Sequence, residues 1–201
     1  PEKFDPLGIF LTYPFVLVAS GDAPYSNMAE LAEYAKTNDV PVAFDAKPQE
    51  LALRFVGKQA GVDFQFLSTE QGAANAKLVL GGQAMVGFEA GEHIPFLESG
   101  ELKMIASMND TRHSYAPDTA TLPEQGYDIY VDPVFFFATA AGTPEDAREA
   151  LTAALAAALD SEEVKSVVMN VLKTPIINLG PEGTRKMLDD GVGNVAALFG
   201  K

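Results

Sequence analysis

The chain has 201 residues, 47% of them hydrophobic, with 14 basic and 28 acidic side chains and a formal net charge of −14. That charge, and a sequence pI near 4.4, exclude nucleic acid as a partner, because phosphate binding needs clustered Lys and Arg, and argue against an anionic membrane surface. There is no cysteine, which excludes disulfides, thiolate metal sites and cysteine nucleophiles and fits an oxidising compartment. No apolar run reaches the length of a membrane span. The chain opens Pro1-Glu2-Lys3-Phe4-Asp5, with no basic region followed by an apolar core. The expectation is therefore that no signal peptide is present, either because it was removed or because the chain starts internally.

Strands and helices alternate along the chain. Residues 9–19 are apolar, aromatic and β-branched but interrupted by Pro14, which predicts two short strands. Asn27 and Glu30 form a capping box for a helix to about Lys36. A strand follows over 40–44. Pro48 suits the first position of a helix that runs to about Ala60 and ends at Gly61. Residues 63–67 read as a strand and 70–80 as a helix. Gly81 and Gly82 then stop that helix, since glycine can take the positive φ of a helix C-terminus. Residues 84–88 read as a buried strand with little alternation, ending in Glu89. A helix over 92–99 closes at Gly100, and a strand covers 102–107. A long polar loop with a helical turn at 122–125 leads to strands over 127–131 and 134–140. Thr143 and Pro144 mark a helix to about Leu159, with Thr143 as its cap. Ser161 starts another to about Leu172, residues 175–179 are extended, and Pro181 opens a last helix to about Phe199. Such alternation implies a mostly parallel sheet with helices on both faces. The helical tail after Pro144 suggests a second packing unit, reached through the 134–140 strand.

The inventory of reactive groups is thin, and nothing in it calls for a cofactor. His93 and His113 have no partner at metal-ligand spacing, and both read as surface residues. Ser20, Ser68 and Ser107 lack the glycine context of a nucleophile elbow. Glu89 at the C-terminal end of a parallel strand lies where open α/β sheets place their ligands; the alternative is an ordinary joint with an exposed acid. Asp45 follows a strand at the same edge, so Asp45 and Glu89 could pair as carboxylates. Two strand-to-helix joints offer backbone N–H groups to an anion: Asp45-Ala46-Lys47-Pro48-Gln49, with the charge of Lys47, and Ser68-Thr69-Glu70-Gln71-Gly72. Ordinary capping, with Lys47 in water, explains them equally well.

The order of segments resembles the periplasmic substrate-binding proteins of the tripartite tricarboxylate transporter family. The similarity begins at Phe4-Asp5-Pro6-Leu7 and runs through Pro14-Phe15-Val16-Leu17-Val18, Met28-Ala29-Glu30-Leu31, Ala60-Gly61-Val62-Asp63 and Leu80-Gly81-Gly82-Gln83. It continues with 96–103, Arg112, Pro117-Asp118 and Thr121-Leu122, and ends with Ala141-Gly142-Thr143-Pro144 and Gly180-Pro181-Glu182. The specificity lies in the ordered set rather than in any one motif. The resemblance implies an α/β fold of the type II periplasmic-binding-protein kind. It implies one complete α/β lobe over 14–130, with 1–13 and 131–201 as the C-terminal part of the other lobe. The family's opening N-terminal third has no counterpart here, so either the chain was cut upstream of Pro1 or this member is short by nature. An isolated remnant would expose apolar surface, which would favour a homodimer.

The resemblance further implies a periplasmic protein, not an enzyme, that captures a small organic acid or amino-acid-like ligand and delivers it to membrane permease subunits. Hinges near 12–14 and 132–133 would close the lobes on the ligand. Ligand-facing positions carried over are Asp45, Ala46, Lys47 and Gln49 in the first joint, Glu70, Gln71 and Gly72 in the second, Glu89, and Val134 and Phe135 on the return crossing. One departure stands out: the family's serine- and glycine-rich loop after the 40–44 strand is replaced here by a short one beginning with Asp45. Lys47 and Gln49 would take over the anchoring, as a point charge and an amide donor, while Asp45 would repel an anion. Two other classes of function remain open on the sequence: a hydrolase or lyase using Asp45 and Glu89, and a ligand-sensing interaction module.

Overall fold

Pro14 divides the first apolar run into two strands that enter different sheets, β1 (Phe4–Thr12) and β2 (Val16–Ser20). The computed structural model describes residues 3–198. Contacts within them define two units, one of residues 14–132 with the last turn at 195–198 and the other of 3–13 with 133–194.

In the 14–132 unit, β2 is followed by α1 (Met28–Ala35), β3 (Pro41–Phe44), α2 (Lys47–Ala60), β4 (Gln65–Ser68), α3 (Gly72–Leu80), β5 (Val86–Glu89), α4 (Ile94–Ser99) and β6 (Leu102–Ser107). The five strands form one sheet in the order β4-β3-β5-β2-β6. It is mixed rather than parallel throughout: β3 runs parallel to β4 and β5, whereas β2 is antiparallel to both β5 and β6. The reason is connectivity. β2 enters directly after Pro14 instead of through a strand-helix-strand crossover, and only a crossover forces parallel pairing. β3, β4, β5 and β6 therefore end at the edge where β2 begins.

Side chains alternate across this sheet with the strand period of two. Leu17, Ala19, Val42, Val86 and Phe88 pack with Met28 and Leu31 of α1 and Leu53 and Val56 of α2. Val16, Val18 and Ala43 pack on the other face with Ala76 and Val79 of α3 and with Leu102 and Met104. A Cβ on Gly87 would stand 3.0 Å from Val79 Cγ2 and 3.4 Å from the Asn75 carbonyl oxygen. The bare glycine lets α3 lie close on β5, which brings Asn75 to the strand ends.

Helix termini follow the local chemistry with small shifts. Asn27 caps α1, accepting from the Glu30 N–H at 2.9 Å, and Gly61 ends α2 at φ 71°. α3 begins at Gly72, two residues after the expected start, because Gln71 is its N-cap. Of the two glycines that follow, Gly81 keeps a helical φ of −83° and only Gly82 turns positive, at 70°. The strand expected over 127–131 is not formed. Its apolar residues Tyr127 and Ile129 are buried in the core, but its backbone bonds to loops, Tyr127 N–H to Leu122 and Val131 N–H to Met108.

In the other unit, β1 pairs antiparallel with β7 (Val134–Ala140), from Phe4 opposite Ala140 to Thr12 opposite Val134. α5 (Glu145–Asp160), α6 (Glu162–Leu172) and α7 (Gly180–Leu198) follow. α5 starts one residue later than expected: Pro144 is its N-cap, while the Thr143 hydroxyl donates to the Ala140 carbonyl at 2.7 Å. Gly8 on β1 admits Leu155 of α5, whose Cδ2 would lie 3.1 Å from a Cβ there. The free side of β1 is satisfied by the Ile9 N–H donating to Thr184 Oγ1 at 2.7 Å and by the Ile177 N–H donating to the Phe10 carbonyl at 2.9 Å. Among the described residues no helix is long and apolar enough to cross a membrane.

Candidate functional site

The C-terminal ends of β3, β4 and β5 lie side by side, and the loops that leave them carry the candidate residues. Asp45 follows β3, Thr69 to Gln71 follow β4, and Glu89 ends β5. Strand register adds a row across the sheet, since Val16 pairs with Glu89 on one side and with Ser107 on the other.

The joint after β3 is closed on itself. Gln49 is 3% exposed, and its Oε1 accepts from the backbone N–H groups of Asp45 at 2.8 Å and Ala46 at 3.1 Å. Its Nε2 donates to Asp45 Oδ1 at 2.7 Å. The third residue of α2 thus satisfies N–H groups that a ligand anion would need. Gln49 ties the loop and does not offer a free amide. Lys47 is exposed but pairs with Glu50, Nζ to Oε2 at 2.6 Å, and Glu50 also takes Arg54 Nε at 2.7 Å. Those two cations hold the Glu50 carboxyl below its ordinary range. Ala46 supplies only backbone.

At the second joint Glu70 and Gln71 are exposed, and Gly72 opens α3. The Gln71 carbonyl accepts from the Ala74 N–H at 3.0 Å, while the first N–H groups of such a helix have no intrahelical partner. Asn75, which the sequence reading passed over, connects the joints together with Thr69 of the second joint. Asn75 is fully buried. Its Nδ2 donates to the Phe88 carbonyl at 2.9 Å and to Asp45 Oδ1 at 3.2 Å, and its Oδ1 accepts from Thr69 Oγ1 at 2.7 Å. The signal was there: Asn75 is the one polar residue in Ala73-Ala74-Asn75-Ala76, on a helix that otherwise buries alanine and valine against a sheet.

Glu89 is 1% exposed, so the reading of an ordinary exposed joint does not hold. Neither carboxyl oxygen makes a hydrogen bond of good geometry, and the Ala76 backbone N–H is the one donor near it. Burial, reinforced by Glu92 and Asp45 and opposed by the Ala76 backbone N–H, pushes its pKa up to about 8. At neutral pH it is a protonated acid.

Both histidines are buried and not on the surface as expected. His93 is 0% exposed; its Nδ1 accepts from the Gly91 N–H, so Nε2 carries the proton toward the Tyr115 hydroxyl at 3.0 Å. Desolvation pushes its pKa down to about 3. The His113 ring stacks on Tyr115 at a centroid separation of 5.2 Å, and its Nε2 lies 3.1 Å from Ser107 Oγ. Burial lowers His113 as well. A single sequence shows no partner for either histidine, because Tyr115 and Ser107 reach them only through the fold. Among the described residues no group of three or more His, Asp or Glu is placed to hold a metal ion.

Val134 and Phe135 belong to the other unit and are not part of this edge. They open β7 opposite Thr12 and Leu11. Phe135 is 44% exposed and its ring meets Tyr13 at 4.9 Å and Phe10 at 5.6 Å.

Comparison with known proteins agrees with this architecture. A UPF0065 protein in the gbd 5' region of Cupriavidus necator is 25% identical over 152 residues, covering 74% of this chain and 46% of that relative. The chain thus spans about half the length of that protein. The structure of the periplasmic binding protein BugD superposes with a TM-score of 0.81 at 25% identity, over 99% of this chain and 69% of that one. MatC from Rhodopseudomonas palustris, solved with bound malate, gives a TM-score of 0.78 at 20% identity, over 97% of this chain and 69% of that one. The fold is α/β of the periplasmic-binding-protein type. The family described as tripartite tricarboxylate transporter family receptor matches residues 2–192, and the chain belongs to that family of solute-binding proteins.

Proposed function

We propose that the chain is a periplasmic solute-binding protein, not an enzyme, that captures a small carboxylate-type metabolite and hands it to the membrane subunits of a tripartite tricarboxylate transporter. The observation that carries this reading is the family match over residues 2–192, to which the site adds a location. Three parallel strands end together there, with a buried polar network beneath the loops that follow them. Open α/β sheets place ligands at that edge. A malate-bound neighbour of the same fold supports the ligand class. Asp45, Ala46, Lys47, Gln49, Glu70, Gln71, Gly72 and Glu89 form the proposed ligand-facing set in the 14–132 unit, with Gln49 and Glu89 acting from beneath the surface. Val134 and Phe135, which open β7, remain proposed ligand-facing positions of their own unit.

Native mass spectrometry of the purified chain, followed by identification of any released small molecule, tests the reading. A bound organic acid in one-to-one ratio is the expected result. Titration calorimetry against a panel of organic acids and amino acids, with the solutes recovered unchanged, is the second arm. Turnover of a bound solute, or no binding across the panel, would overturn it.

A further inference from the structure

The strand-end site is furnished for a positive charge rather than a negative one. Asp45 is a carboxylate already held by the protein: Oδ1 takes the side-chain amides of Gln49 at 2.7 Å and Asn75 at 3.2 Å. Its Oδ2 lies 3.9 Å from the point where a Cβ on Gly72 would stand, at the start of α3. The backbone N–H groups of Asp45 and Ala46 are taken by Gln49. The cations that follow in the chain, Lys47 and Arg54, are both drawn to Glu50. Below the surface Glu89 is 1% exposed, and neither oxygen makes a hydrogen bond of good geometry. Asp45 thus sets an internal anion at the joint, held by two side-chain amides, and the buried acid Glu89 ends the strand beside it.

We infer that this edge receives the ammonium group of an amine-bearing organic acid, with Asp45 as its direct partner and Glu89 as a buried acid at the neighbouring strand end. The inference rests on the solute-binding reading above and narrows its ligand class. A plain dicarboxylate would bring a negative charge against Asp45 and Glu92 with no uncommitted cation among the named groups to receive it. An ammonium offers three donors and the opposite charge.

The arrangement has a second consequence. Glu89 faces Asp45 beyond β3, Glu92 in the loop beyond β5 and Ala76 of α3, while its register partner on β2 is the apolar Val16. In the empty site burial and those two carboxylates keep it protonated at neutral pH. A cation beside Asp45 offsets their repulsion and favours ionised Glu89. Binding of an amine should therefore lower the Glu89 pKa by offsetting the repulsion though not the burial, and part of its proton should pass to buffer.

The test is calorimetry on the full chain at pH 7, with L-malate against L-aspartate and adipate against 6-aminohexanoate as probes. The expected result is at least tenfold tighter binding of the amine-bearing member in one pair. Its measured heat should differ between phosphate and Tris buffers as proton release requires. Asp45→Asn should cut the preference below threefold. Glu92→Gln, at an exposed loop position, should weaken the amine probe in the same direction. Glu89→Gln should abolish the buffer dependence. Equal or tighter binding of the dicarboxylates would overturn the inference and leave the solute-binding reading intact. Failure of all four probes and of the wider panel would overturn that reading, and this inference with it.

Discussion

Asn75 Nδ2 lies 3.2 Å from Asp45 Oδ1, across thirty residues of sequence. The same amide holds the Phe88 carbonyl at 2.9 Å, so one buried side chain of α3 fixes both the loop after β3 and the end of β5. Asn75→Ala should leave the Phe88 carbonyl and the Thr69 hydroxyl without their partner. The expected cost is ~1–3 kcal/mol of stability, read as a lower midpoint in urea with an unchanged slope. A variant as stable as the parent would show that these bonds are replaced by water.

Glu89 should make stability depend on pH in an unusual direction. Its folded pKa of about 8 lies above the ordinary value of 4.5, so the folded state holds a proton that the unfolded chain has released. Stability from this group is full below pH 4.5 and falls as pH rises toward 8. The slope is up to ~1.4 kcal/mol per pH unit. Near pH 6.5 the unfolded histidines still titrate and give a slope of opposite sign, so the acid is read as the difference between the parent and Glu89→Gln. That difference should shrink as pH rises from 6.5 to 8, because only the parent loses the stability of the protonated Glu89. A difference that stays constant over this range would contradict the raised pKa of the buried carboxyl.

The histidines should act on the acid side. His93 is lowered to about 3 and His113 is lowered too, so the unfolded chain binds protons that the folded one refuses. Their contribution to stability is present above pH 6.5 and is lost as pH falls below it. Tyr115→Phe removes the hydroxyl that His93 Nε2 meets at 3.0 Å. It should cost ~1–3 kcal/mol at pH 7 through the stranded ring N–H. Thermal melts at pH 5 and pH 7 compare the two effects; a Tyr115→Phe variant unchanged at pH 7 would remove that bond from the account.

Gly87 tests the packing that brings α3 to the site. A Cβ there would meet Val79 Cγ2 at 3.0 Å and the Asn75 carbonyl oxygen at 3.4 Å. Gly87→Ala should cost ~1–3 kcal/mol by overpacking and should weaken ligand binding as well, because Asn75 moves with the helix. Loss of stability with unchanged affinity would separate the network from the site.

Much of the fold was legible in the sequence because its signals are local. The β6 and β7 bounds, the Asn27 and Ser161 caps and the stop at Gly61 follow from side-chain period and terminal chemistry within a few residues. Asp45 and Glu89 were readable as acids at strand ends, and the ordered segments pointed to the family that the comparisons show. What only the tertiary structure decided depends on residues far apart in the chain. The reversed direction of β2 follows from where the chain enters the sheet, not from its composition. The 127–131 segment is apolar because it is buried, yet its backbone bonds to loops instead of a strand. His93 and His113 have no sequence neighbour that marks them as core; Tyr115 and Ser107 shelter them through the packing of separate loops. Gln49 looked like a ligand donor until the fold turned its amide back onto Asp45. A sequence names the groups near a strand end, but whether each is spent on the protein or left for a ligand is settled by three-dimensional hydrogen-bond accounting.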